Sequence, residues 1–89
     1  MPRVLIIDDQ KDVRAMVAIV LRVNHYEVAE ADSGAAGLKT FAEGSFDAAI
    51  VDIFLGDISG VDVIAALRER APGLPVIAVS GMTALDFME

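Results

Sequence analysis

Three acidic residues and one hydroxyl stand where apolar runs stop. Val4-Leu5-Ile6-Ile7 ends at Asp8-Asp9, Ala48-Ala49-Ile50-Val51 ends at Asp52, and Val76-Ile77-Ala78-Val79 ends at Ser80. If neighbouring parallel strands carry these runs, one sheet edge gathers all four side chains. Clustered carboxylates repel one another and normally need a cation or a shared proton. The chain has no cysteine, and its one histidine, His25, lies elsewhere. The donors are therefore oxygens, which favours Mg2+ or Mn2+ over zinc or copper. Mg2+ keeps several waters and so leaves positions for phosphate oxygens. In such a site Asp52 can attack phosphorus and become an aspartyl phosphate. The cation would offset the repulsion between that carboxylate and the incoming phosphoryl group. Ser80 would donate a hydrogen bond to a phosphoryl oxygen.

Each of these residues has a plainer use when taken alone. Asp8 or Asp9 can cap the helix that follows, Asp52 is an ordinary polar strand end, and Ser80 precedes Gly81 in a turn. His25, next to Asn24, reads as a surface residue between helix and strand. The coincidence of acids at matching strand ends is what favours a metal site.

The elements that must position these residues alternate between strand and helix. Val4 to Ile7 is short and continuously apolar, as expected of a strand covered on both faces. Val13, Met16, Val17, Val20 and Leu21 follow at helical spacing. Glu27 to Ala31 alternates polar and apolar, which suits an edge strand. Leu38, Phe41 and Ala42 mark a second helix despite Gly37, and Gly44-Ser45 ends it. Ala48 to Val51 is a buried strand, and a loop from Phe54 to Gly60 follows. Val63, Ile64, Leu67 and Ala71 give a third helix, stopped by Pro72-Gly73. Val76 to Val79 is the fourth strand, and Thr83 to Glu89 can begin a fourth helix.

This alternation predicts an α/β fold: an open parallel sheet flanked by helices, flavodoxin-like, with strand order 2-1-3-4. The switch point then lies between strands one and three, where open sheets of this kind bind ligands. Asp8, Asp9 and Asp52 all fall there.

A chain of 89 residues is one domain. With 55% hydrophobic residues it is expected to bury a core rather than stay disordered. No apolar stretch approaches the roughly 20 residues of a membrane span, and no signal-type segment opens the chain. A cytoplasmic location is therefore expected. The net charge of −7 argues against direct binding to nucleic acid or anionic membrane.

Four segments together resemble the receiver domain of bacterial two-component response regulators: "VLIIDDQKDVR", "YEVAEADSGAAGL", "FDAAIVDIFLGDISGVDVI" and "LPVIAVSG". They occur in that family's order and spacing over nearly the whole of residues 1–89. The resemblance implies that Asp52 is the phosphoacceptor and that Asp9 binds the metal directly, with Asp8 acting through water. It implies the backbone carbonyl of Phe54 as a third protein ligand and Ser80 as the switch hydroxyl. The implied phosphodonor is a phosphohistidine on a sensor histidine kinase or a phosphotransfer protein. Receivers of this family accept the group and can also promote their own phosphorylation and dephosphorylation.

Two departures stand out. Gly56 replaces the family's usual proline, which is expected to loosen the loop after Asp52. The family also has five strand–helix units, and this chain is expected to stop after its fourth strand. It would then lack a lysine that pairs with the phosphoryl group, together with a switch aromatic and most of the last two helices. On that expectation the open edge of the fourth strand favours a homodimer, and Met82, Phe87 and Met88 would be core residues without their cover.

Two other functions remain open from the residues. A Mg2+-dependent phosphohydrolase of the haloacid dehalogenase type needs a second acid two positions after its nucleophile, and Phe54 stands there. A phosphorylation-independent interaction module would keep the fold and has no need of the acids, all of which are present.

Overall fold

The structure, a computed structural model, describes residues 1–80. The elements run β1 (Arg3–Ile7), α1 (Lys11–Val23), β2 (Glu27–Ala31), α2 (Gly34–Glu43), β3 (Ala48–Asp52), α3 (Gly60–Arg70) and β4 (Val76–Val79). All strand pairs are parallel, and the sheet order is β2-β1-β3-β4, as the alternation predicts. The fourth helix expected over Thr83 to Glu89, and Met82, Phe87 and Met88, lie outside the described residues.

The unbroken apolar character of β1 follows from cover on both faces. Leu5 and Ile7 join Ala49, Val51, Val63 and Leu67 in the larger core, beneath α2 and α3. Ile6 points the other way and meets Val13, Val17 and Ala18 of α1. Within α1 the buried stripe is displaced from its expected course. Val20 is 42% exposed, while Ala18 is fully buried. The helix therefore presents its small residue, not Val20, to the sheet.

Pairing of β1 with β3 sets the site. Ile7 stands opposite Val51, so the residues that follow them, Asp8 and Asp52, emerge side by side. β2 is the half-exposed edge its alternation predicts. β4 is less covered than its apolar run implies: among the described residues it pairs only with β3, and Ile77 is 57% exposed.

Gly37 has a packing reason. A Cβ there would lie 2.7 Å from Cγ1 of Ile7 and closer still to its Cδ1, so glycine lets α2 lie directly on β1. At the end of α1 the chain turns through His25, the one non-glycine residue with positive φ among those described (68°). Its N–H donates to the carbonyl of Arg22, and that of Tyr26 to the carbonyl of Leu21. This is the paired pattern that closes a helix through a left-handed residue.

Candidate metal and phosphoryl site

The ends of β1 and β3 bring the carboxylates of Asp8, Asp9 and Asp52 together, with one oxygen from each within 4.8 Å of the others. Asp8 and Asp52 are buried, and Asp9 faces solvent. Neither Asp8 nor Asp9 caps α1, contrary to expectation. The N-cap is Gln10, which makes no side-chain cap bond. Asp8 instead folds back on its own turn and accepts the N–H of Gln10 at 2.9 Å. Asp52 does the same on β3, accepting the N–H of Phe54 at 3.0 Å. These matched local turns fix one oxygen of each buried carboxylate and, among the described residues, leave the other without a hydrogen bond.

Among the described residues the site is short of positive charge. Burial pushes the Asp8 carboxyl above its ordinary range, the Gln10 hydrogen bond opposes this, and the charges of Asp52 and Asp9 add to the rise. Arg14 supplies a partial offset. Its Nη1 donates to the Asp8 carbonyl at 2.8 Å, and its Nε pairs with Glu30 at 3.3 Å. A cluster of carboxylate oxygens in which burial and like charge raise Asp8 suits a hard divalent ion.

Phe54 stands two residues beyond Asp52 and is 66% exposed. It borders an open depression with Asp9, Ile53 and Gly56. Ser80 follows Val79, the register partner of Asp52, and is exposed. His25 lies at the far end of α1, away from the acids.

Sequence reasoning passed over two parts of this site. Gly60 begins α3 directly against the end of β3, where a Cβ would collide with the backbone of Asp52 and Ile53. Its N–H donates to the carbonyl of Ile53 at 3.1 Å. The second is Asp57, whose carboxylate accepts the N–H of Gly34 at 2.9 Å and of Ala35 at 3.0 Å. A glycine opening a helix directly after a strand-end acid was a readable signal for Gly60. Asp57 gave none, because its partners lie more than twenty residues away.

Comparison with known proteins agrees with this geometry. The family described as response regulator receiver domain matches residues 4–89. The transcriptional regulatory protein PrrA of Mycobacterium tuberculosis is 39% identical over 85 residues, which is 96% of this chain and 36% of PrrA. This chain thus spans about a third of the length of that relative. The response regulator TrrA of Thermotoga maritima, solved in complex with Mg2+-BeF, superposes with a TM-score of 0.88 at 30% identity. That match covers 93% of this chain and 72% of TrrA. TrrA in complex with the histidine kinase ThkA gives 0.85 at 30% identity, with the same coverage. The chain belongs to the response regulator receiver family.

No described helix is long and apolar enough to cross a membrane.

Proposed function

We infer that this chain is a phosphoacceptor of two-component signalling, taking a phosphoryl group from a phosphohistidine onto Asp52. The observation that carries the reading is the convergence of Asp8, Asp9 and Asp52 within 4.8 Å at the β1 and β3 ends. TrrA, of the same fold, has been solved with Mg2+-BeF and with a histidine kinase. Here Asp9, Asp52 and the carbonyl of Phe54 would hold Mg2+ directly, with Asp8 acting through water. Bound Mg2+ would supply charge neutralisation for the approach of a phosphoryl group to a carboxylate.

The free oxygen of Asp52 is the nucleophile. It forms a bond to phosphorus as the P–N bond of the phosphohistidine breaks. The electron pair leaves with the imidazole nitrogen, which takes a proton from solvent. The product is an acyl phosphate. The Phe54 N–H steadies the other Asp52 oxygen during attack, and Ser80 donates to a phosphoryl oxygen. The same site would let the chain catalyse its own phosphorylation by small donors and the hydrolysis that resets it. A sensor histidine kinase or a phosphotransfer protein is the proposed partner, and the cytoplasm the proposed location.

The phosphohydrolase reading is disfavoured because Phe54 has no proton to give a leaving group. Self-association is a secondary part of the proposal. It is supported by the apolar Ile77 at 57% exposure on a strand paired, among the described residues, on one side only. Sedimentation at micromolar concentration should show dimer, and a single monomeric species would remove this part.

The test of the main reading is acetyl phosphate with Mg2+, applied to the protein in its natural form. One phosphoryl group should add, stable to acid and labile to base. Asp52→Asn should abolish it, since an amide is a poor nucleophile. Equal labelling of Asp52→Asn would sink the assignment.

A further inference from the structure

We propose that Asp57 is a positioning residue for the metal site: its carboxylate latches the β3–α3 loop to the first turn of α2 and so holds the Phe54–Gly56 stretch beside Asp9. The inference rests on the reading of Asp8, Asp9 and Asp52 as a Mg2+ site.

The latch is bidentate. Oδ1 accepts the N–H of Gly34 at 2.9 Å and Oδ2 that of Ala35 at 3.0 Å. Helix starts leave such amides without partners. In α2 the N-cap Ser33 takes only one, the N–H of Ala36 at 3.0 Å. Asp57 takes the next two from a different element of the chain. Its negative charge also sits at the positive end of the helix dipole. These amides hold the Asp57 carboxyl well below the ordinary range, at about 2, so the latch is charged at neutral pH. The approach is close enough that a larger residue at the helix start would press on its neighbours. A Cβ on Gly34 would meet Ile58, Val63 and the Asp57 carboxylate at 3.0 to 3.3 Å.

The loop needs such a tie. Its base is fixed at two points: Phe54 donates to Asp52 and Gly60 donates to Ile53. Leu55 and Ile58 lean against the core. Between them lies Gly56, whose backbone has the widest conformational freedom of any residue type. Gly56 also faces the acids, since a Cβ there would stand 3.5 Å from Oδ2 of Asp9. The residue after this free joint is Asp57. Among the described residues its two bonds are the polar tie between the loop tip and another element. Freed of them, the segment that presents the Phe54 carbonyl would sample more positions, and a ligand set held less well binds its ion less tightly.

A helix cap alone and a positioning residue differ in what they control. Mg2+ titrated into the full 89-residue chain should shift the amides of residues 9, 52 and 54. Asp57→Ala should weaken that affinity by about tenfold, the lower end for outer groups around a metal. Asp57→Asn keeps one acceptor for one amide and should fall between Asp57→Ala and the native chain. Hydrogen exchange should quicken at Gly34 and Ala35 and also at Leu55 and Gly56. Faster exchange confined to Gly34 and Ala35, with Mg2+ affinity unchanged in both variants, would make Asp57 a cap only and overturn the proposal. If the native chain shows no Mg2+ shifts at residues 9, 52 and 54, the metal-site reading itself fails, and the latch's role with it.

Discussion

Arg14 and Glu30 join the acidic turn to the outer edge of the sheet. The Nε of Arg14 lies 3.3 Å from Oε1 of Glu30, and the same guanidinium donates to the carbonyl of Asp8. One side chain thereby ties α1, β2 and the loop that carries two of the three acids.

Arg14 is 15% exposed, whereas Arg22, which meets the other oxygen of Glu30, is 51% exposed. Hydrogen bonds from a charged group in a shielded place are worth more than surface pairs. Arg14→Ala should cost about 2 kcal/mol in urea denaturation, and Arg22→Ala less than about 1 kcal/mol. Equal losses would show that burial of Arg14 adds nothing.

Asp8 and Asp57 should act oppositely on stability as pH changes. The Asp8 carboxyl is raised above 3.8 in the folded chain, so the folded state holds its proton more tightly than the unfolded one. Its contribution is therefore greatest at low pH and is lost as pH rises from 3.8 through the folded value. Asp57 is lowered from 3.8 to about 2, so its contribution is present at neutral pH and is lost as pH falls through that interval. Denaturation across acid pH, without divalent ions, should show Asp8→Asn removing the first slope. Asp57→Asn should remove the second. An unchanged pH profile in either variant would contradict the corresponding shift.

Gly37 and Gly60 should both resist alanine, although alanine is the better helix former by about 1 kcal/mol. At Gly37 the obstacle is the buried Ile7 side chain, which can shift only within a packed core. Overpacking of that kind costs about 1–3 kcal/mol. At Gly60 the obstacle is the backbone of Asp52 and Ile53. The larger loss should therefore fall on Gly60→Ala, and it should be accompanied by amide shifts at Asp52. A neutral Gly60→Ala would refute the close approach of α3 to β3.

His25 occupies a left-handed backbone position at φ 68°. A side chain there costs about 1–2 kcal/mol relative to glycine, and glycine returns part of this through its freedom in the unfolded chain. His25→Gly should raise stability by up to about 1 kcal/mol, and His25→Val should lower it. Thermal melts of the two variants give the comparison, and a loss in His25→Gly would show that the imidazole makes a compensating contact.

The strands were readable because two covered faces demand unbroken apolar runs, and Val4 to Ile7 and Ala48 to Val51 have them. The acids were readable because strand order alone brings Asp8, Asp9 and Asp52 to one edge. Local conformation was less accessible. The choice of Ala18 over Val20 for the sheet face depends on how close α1 lies, which periodicity does not carry. The turn of Asp8 back onto Gln10, in place of a cap on α1, depends on where the helix starts. Loosening of the loop by Gly56 was an expectation from one residue, and the bonds of Asp57 depend on a second element arriving beside it.

Asp8 and Asp52 are neighbours across a strand pair but stand more than forty positions apart in the chain. The first β-α-β unit carries two of the acids, and the third lies beyond it on β3. Asp8 and Asp9 already adjoin in the chain, and the charge of Asp52 joins them only when β3 pairs with β1, after a long loop has closed. The share of the electrostatic cost that Asp52 adds therefore comes with that pairing. During synthesis β3 must leave the ribosome before all three acids can meet, so the three-carboxylate cluster arrives with the sheet, not before it.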